Sequence, residues 1–289
     1  MGIDFQNVVF KYDRKALKAI LNQVNLSIAS TNEFVMILGH TGSGKTTVVQ
    51  HMNALLLPTA GEINIYDKRI VPGIKNLKLK DIRKKIGLVF QFPEYQLFEE
   101  TVLKDVMFGP KNFGTNKEDA EIAARKACTM VGLPDELLDR SPFSLSGGQM
   151  RRVAIAGILA SNPDILILDE PTVGLDPHGK KELMELLVRI QNETAKTIIM
   201  ISHDMDIVAR YAKRVVVMLE GQVKYDGIAR TLFEDIDYLQ SLNLDLPKSA
   251  YFALKLREKG LLKYQQLPIT KEELLAAIEA QLQTGEHYE

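Results

Sequence analysis

Several short runs along the chain are apolar at almost every position. Phe34-Val35-Met36-Ile37-Leu38, Ile165-Ile167 with Leu166 and Leu168, Thr197 to Ile201 and Arg214 to Leu219 have this character, which predicts strands buried on both faces. Other runs alternate. Ile3 to Phe10 and Val24 to Ile28 place apolar residues at every second position, as half-buried antiparallel strands do, and Glu62 to Tyr66 follows a Pro58-Thr59-Ala60-Gly61 turn and leads into a hairpin-like reversal at Asp67-Lys68. Between the strands the period changes to that of a helix, over Thr46 to Leu55 and again from Thr101 to about Leu159, most clearly at Glu118 to Val131. Strands alternating with helices predict an α/β fold with a mostly parallel core sheet. To this the pattern adds an N-terminal antiparallel β-subdomain, an inserted helical subdomain at about 92–160, and a C-terminal helical extension at 230–289 after a main domain at 1–229. The extension is broken by Pro247, Gly260 and Pro268, and Thr270-Lys271-Glu272-Glu273 begins its last helix with a capping box. It is either an appendage packed on the core or an oligomerisation element.

Composition narrows the classes. The 289 residues are 46% apolar and 25% charged, with a net charge of −1, which gives no general attraction to nucleic acid. Between Lys75 and Lys85 the charges are interleaved with Leu77, Leu79 and Ile82, which suits a solvated helix face better than a nucleic-acid tract. No apolar run reaches the ~18 residues of a membrane span and no basic-then-apolar signal pattern opens the chain, so a cytoplasmic location is expected unless a partner holds the protein at a membrane. A single cysteine, Cys128, excludes an internal disulfide framework and is expected to be a packing residue.

The candidate chemistry lies at the ends of the apolar runs. Gly39-His40-Thr41-Gly42-Ser43-Gly44-Lys45-Thr46 sits between a buried strand and a helix and has the spacing of a P-loop. Its glycines let backbone N–H groups turn inward toward phosphate oxygens, and the helix start adds partial positive charge. Lys45 is expected at the β- and γ-phosphates and Thr46 at magnesium. A second glycine-rich helix start, Leu145-Ser146-Gly147-Gly148-Gln149, precedes the strand that closes on Asp169-Glu170. Those carboxylates stand where a magnesium-orienting aspartate and a water-activating base belong. Gln91 ends the strand Ile86 to Phe90, and His203 ends the strand from Thr197, within possible reach of a γ-phosphate. Tyr12 could stack on a nucleotide base or be an ordinary core or surface tyrosine. The aromatics of Phe92 to Phe98, beside Glu94, form a candidate docking surface.

Together these motifs resemble the nucleotide-binding subunit of ABC transporters over residues 3–225. The resemblance implies an ATPase: Gly39, His40, Thr41, Gly42, Ser43, Gly44, Lys45, Thr46 and Thr47 would hold ATP, with Tyr12 under the base. Thr46, Gln91 and Asp169 would organise Mg2+, Glu170 would be the general base, and His203 would steady the γ-phosphate. Ser146, Gly147, Gly148, Gln149 and the D-loop residue Asp176 would close over ATP held by a facing subunit, so two ATPase chains would pair head to tail. A narrower resemblance, to the ATPases of energy-coupling factor importers, rests on Val89 to Val102, on Gly148 to Gly157, and on the C-terminal helices. Within that group Met150-Arg151-Arg152 and Phe98-Glu99-Glu100-Thr101 look like the second, or A-prime, subunit of a heterodimeric pair. It implies a transmembrane T subunit docked near Gln91 to Glu100 through Glu94 and Glu99, a membrane S subunit reached indirectly, no nucleic acid, and a peripheral position on the cytoplasmic face of the cell membrane. Another ABC transporter ATPase is the alternative. A DNA- or ribosome-acting ABC ATPase usually has a long coiled coil or tandem cassettes, and the sequence shows neither.

Overall fold

The computed structural model describes residues 2–13, 15–75 and 78–283. Ten strands occur among them: β1 (Ile3–Phe10), β2 (Leu21–Ile28), β3 (Phe34–Leu38), β4 (Ala60–Ile65), β5 (Lys68–Ile70), β6 (Ile86–Val89), β7 (Ile165–Asp169), β8 (Thr197–Ile201), β9 (Arg214–Leu219) and β10 (Gln222–Ile228). They divide into a four-stranded antiparallel sheet of order β2-β1-β4-β5 and a six-stranded sheet of order β10-β9-β3-β8-β7-β6. In the larger sheet only β10 runs antiparallel to its neighbour.

Alternation explains why the core strands read as unbroken apolar runs. Phe34, Met36 and Leu38 of β3 point into one hydrophobic cluster, while Val35 and Ile37 point into another. On β7, Leu166 and Leu168 share the first cluster and Ile165 and Ile167 the second. Successive side chains leave opposite faces of a strand, so a sheet covered on both sides demands apolar residues at every position. The antiparallel sheet and helix α1 (Lys45–Met52) cover one face. Helices cover the other. The reversal near Asp67 joins β4 to β5 through Tyr66, at φ 53°, with Ile65 paired to Lys68.

Helix α1 stops three residues short of the expected Leu55. Ala54 takes a φ of 54°, and the Asn53 side chain accepts the Leu55 N–H at 3.1 Å, which replaces the next helical turn with a local one. Helix α2 (Leu79–Lys85) buries Ile82 and exposes Lys80, Lys84 and Lys85, while Arg83 turns inward to donate to Ala54 O at 3.2 Å; the sequence expectation for Leu77 lies outside the described residues. The inserted helices are α3 (Val102–Asn112), α4 (Lys117–Met130) and α5 (Gly147–Leu159). Thr101 and Asn116 cap the first two, and buried Ala120, Ala124, Ala127 and Cys128 let α4 approach its neighbours closely.

Helices α6 (Pro177–Thr194) and α7 (Met205–Tyr211) flank β8 in sequence. The chain then continues through α8 (Ala229–Glu234), α9 (Ile236–Ser241), α10 (Lys248–Glu258) and α11 (Lys271–Gln283). This extension is packed on the core: Phe233, Ala250, Ala253 and Leu262 join the cluster that contains Met36 and Leu168. The Lys248 N–H donates to Asp206 at 2.7 Å, and Arg210 pairs with Glu272 at 3.1 Å across the same seam. The capping box at Thr270 is closed differently from the expectation. Thr270 accepts the Glu273 N–H, but the Glu273 carboxylate takes the Ile269 N–H at 2.9 Å, one residue upstream of the cap, and also binds Arg230. No helix among the described residues is long and apolar enough to cross a membrane.

Candidate active site

Parallel neighbours β3, β8, β7 and β6 all point their carboxyl ends to the same edge of the sheet, so the residues just beyond them are brought together although they are far apart in sequence. Those residues are Gly39, His203, Glu170 and Gln91. At the end of β3 the backbone turns sharply at Gly39, with φ 140°; a Cβ there would lie 2.2 Å from the Met218 carbonyl oxygen. Gly44, at φ 102°, starts α1 against Leu21 and Ile20, where a side chain would also be crowded. His40, Thr41 and Gly42 are exposed between these fixed points. The Lys45 ammonium crosses the loop, donating to Gly39 O at 2.7 Å and His40 O at 3.0 Å. Burial holds the Lys45 pKa below the ordinary lysine range, and the nearby Glu170 and Asp169 charges oppose that shift.

Ser43 is buried and its hydroxyl has no partner within the protein, an orphan polar group that a phosphate oxygen would satisfy. Thr46 is exposed at the first turn of α1. Asp169 is 6% exposed; burial pushes its carboxyl up, while a hydrogen bond from Thr46 draws it down and Glu170 adds to the rise. No group of three or more His, Cys, Asp or Glu side chains able to hold a metal occurs among the described residues. One carboxylate and one hydroxyl nevertheless fit Mg2+, which keeps several waters and takes its remaining oxygens from substrate phosphates. Thr47 is buried, with its carbonyl 2.7 Å from His51 Nδ1, so its side chain faces the protein.

Glu170 stands at φ 47°, turned away from the buried strand that precedes it. One of its oxygens, Oε2, accepts a hydrogen bond from Gln91 Nε2 at 3.4 Å and lies 3.5 Å from His203 Nδ1. Three residues expected to act together thus meet at a single carboxylate oxygen. Tyr12 is 66% exposed and packs edge-on against Phe10 at 4.9 Å; Phe10 in turn meets His51 of α1 edge-on at 4.7 Å. That ladder of rings ties the exposed tyrosine to the helix behind the phosphate loop.

The second glycine-rich start is built otherwise. Ser146 caps α5 through a reciprocal box, accepting the Gln149 N–H at 3.3 Å while its own N–H donates to Gln149 Oε1 at 3.0 Å. Ser146, Gly147 and Gly148 are exposed, and a Cβ on either glycine would meet open space. Asp176 caps α6 by accepting the Gly179 N–H at 2.7 Å. In the first turns of the same helix Lys180 pairs at 2.7 Å with Asp204, next to His203.

Comparison with known proteins decides the family. A family model described as ABC transporter matches residues 21–173. The energy-coupling factor transporter ATP-binding protein EcfA2 of Listeria monocytogenes is 49% identical over 287 residues, which is 99% of each chain. The protein of the same description from Lactiplantibacillus plantarum is 47% identical, covering 98% of this chain and 96% of its own. The chain belongs to the ABC transporter ATPases, in their energy-coupling factor group. Among solved structures, cbiO1 from Clostridium perfringens, part of an ABC transporter complex, superposes with a TM-score of 0.72 at 36% identity, covering 89% of this chain and 96% of its own. The ATP-binding cassette MJ0796, in a dimeric post-hydrolysis state bound to ADP and Pi, gives 0.69 at 32% identity over 79% of this chain and 99% of its own.

As an ABC ATPase the chain couples ATP hydrolysis to transport. Two features escaped the sequence reading. Phe10 and His51, the support behind Tyr12, carry no signal beyond apolar and helical spacing. The other is Arg151: its guanidinium is buried and bonded to Glu94, the acid expected to face a docking partner. Glu94 is therefore engaged inside the chain, with its side chain 18% exposed, whereas Tyr95 beside it is 85% exposed.

Proposed function

We propose that the chain is the ATP-hydrolysing subunit of an energy-coupling factor importer for vitamins or other micronutrients, and that it works as half of a head-to-tail ATPase heterodimer. The observation that supports this most strongly is the contrast between its two phosphate-facing elements. The loop around Lys45 is pinned at both ends by its own chain, whereas Ser146, Gly147 and Gly148 are ordered by an internal cap and present their free side outward. A signature held this way is suited to close on ATP bound by another subunit.

In this reading Lys45 and the loop amides hold the β- and γ-phosphates, and the Ser43 hydroxyl gains the partner it lacks. Thr46, Gln91 and Asp169 would hold Mg2+, which would neutralise phosphate charge. Glu170 accepts the proton of the attacking water, His203, whose Nδ1 lies 3.5 Å from Glu170 Oε2, steadies the γ-phosphate, and Tyr12 stacks under the adenine. Asp176 stands at the head of α6 toward the facing subunit. ATP contacts made by both chains favour the closed pair, and closure moves the segment after Gln91. Exposed Tyr95 and Phe98 on that segment, with Glu99 beside them, dock a transmembrane T subunit, which passes the movement to a substrate-binding S subunit. The subunit is then peripheral on the cytoplasmic face of the cell membrane.

The test is Glu170→Gln in the assembled complex, with the second ATPase subunit already inactive. ATP binding is retained, while turnover falls by about 10²–10⁴-fold, the range for removing a positioned base, and uptake falls with it. Near-normal hydrolysis and uptake by this variant would contradict the reading.

A further inference from the structure

Arg151 lies on α5 five positions past Ser146, and its side chain is 6% exposed. Its Nη1 donates to Pro171 O at 2.7 Å and Val173 O at 3.0 Å. Its Nη2 faces both oxygens of Glu94, at 3.3 Å and 3.4 Å. One rigid guanidinium therefore joins three segments: the helix headed by the signature, the loop that follows Glu170, and the turn Pro93–Gln96 that follows Gln91. The third arm is held differently from the other two. Charge-assisted bonds usually shorten to about 2.7–2.9 Å; both Glu94 contacts, at 3.3 Å and 3.4 Å, exceed this and are longer than the bonds to Pro171 O at 2.7 Å and Val173 O at 3.0 Å. The Nε of Arg151 is buried without a partner, so the group is not fully satisfied in this arrangement.

Backbone strain stands at both ends of the link. Phe92, which enters the turn carrying Glu94, has φ 54°, and Glu170, next to Pro171, has φ 47°. The planar fork ties Glu94 to carbonyls one and three residues beyond Glu170. The same arginine anchors α5 behind Ser146, about one and a half helical turns away.

We propose that Arg151 is a positioning residue that transmits movement of the segment after Gln91 to the Glu170 loop and to the signature helix, with the Glu94 arm as its adjustable contact. The assignment rests on the ATPase function proposed above. A cationic group of the membrane partner that engages Glu94 would draw on the contact held by Arg151, so docking and the position of the base are linked through one side chain. A lysine cannot reproduce this, because a point ammonium lacks the fork that spans carboxylate and carbonyls together.

The experiment is a double-mutant cycle of Arg151→Lys and Glu94→Gln in the complete transporter complex, reading kcat and KM for ATP, thermal melting, and recovery of the membrane subunits with the ATPases. The expected result is that Arg151→Lys lowers kcat about tenfold with KM held within about twofold, since no phosphate contact is touched. Adding Glu94→Gln to it then costs little more, because the pair acts as one link. Independent, multiplying effects of the two changes overturn the proposal, as does a wild-type kcat per folded molecule accompanied only by lowered melting. Undiminished recovery of the membrane subunits with Glu94→Gln, alongside a non-additive cycle, removes Glu94 from the docking contact and leaves the Arg151 link standing. Loss of ATP hydrolysis in the unmutated complex would instead remove the functional reading on which the assignment rests.

Discussion

The loop Gly39 to Thr46 and the loop Leu145 to Gln149 are both glycine-rich turns that open a helix, yet the structure finishes them to different degrees. The first is pinned by a strand behind it, by the Met218 carbonyl against Gly39 and by the Lys45 ammonium across its mouth. The second is shaped by the reciprocal cap between Ser146 and Gln149, and its glycines face open space. A phosphate-binding loop must hold its amides in place before the ligand arrives, so its glycines serve backbone conformation. At Gly147 and Gly148 no positive φ occurs and a Cβ would meet open space, so backbone conformation does not require glycine there; in the proposed pairing their missing side chains leave room for ATP held by the facing subunit. The same residue type thus serves a pinned backbone turn in one loop and leaves an open surface at the other.

That contrast extends to the segment after Gln91 and can be sharpened there. Tyr95 is among the most exposed aromatics of the chain, while Glu94 is turned inward to Arg151. Tyr95→Asp is expected to reduce co-purification of the membrane subunits about tenfold, the cost of roughly 1.4 kcal/mol at a docking contact, while ATP binding by the isolated subunit is unchanged. Full assembly of this variant would place the docking contact elsewhere.

Much of the arrangement was legible in the sequence because it depends on local or strictly periodic constraints. Strands β3, β7 and β8 are buried on both faces, so they read as apolar runs, and the catalytic groups sit where those runs end. The parallel order of β6, β7, β8 and β3 then explains how Gln91, Glu170 and His203 meet. What was not legible depends on pairing across long separations. Arg151 reads as one of two basic residues on a helix, and only packing shows that it is the buried one, joined to a carboxylate 57 positions away. The end of α1 was misplaced because Ala54 adopts a left-handed conformation that its residue type does not favour. The C-terminal helices were recognisable from their breaks, but that they pack on the core follows from contacts such as Lys248 to Asp206.

The closed interior of the helical insertion bounds the comparison on its other side. Burial among α4 and its neighbours pushes the Cys128 thiol up to about 11 from an ordinary value of 9.0. The folded thiol holds its proton more tightly than the unfolded one, so its contribution to stability is intact at neutral pH and fades between pH 9 and 11 as the unfolded thiol ionises first. Alkylation of Cys128 at pH 8 is accordingly expected to be about a hundredfold slower in the folded chain than in urea. Equal rates would show that the interior around α4 is open.

The central claim is that ATP bound at Lys45 belongs to a site completed by two chains. It is tested most directly by association of this chain with its second ATPase subunit in Mg-ATP, with hydrolysis blocked by Glu170→Gln, before and after adding Ser146→Arg. Ser146→Arg is expected to weaken ATP-driven pairing by at least about tenfold, while the Kd of the single chain for ATP stays within about twofold. Pairing of undiminished strength with Ser146→Arg would contradict it.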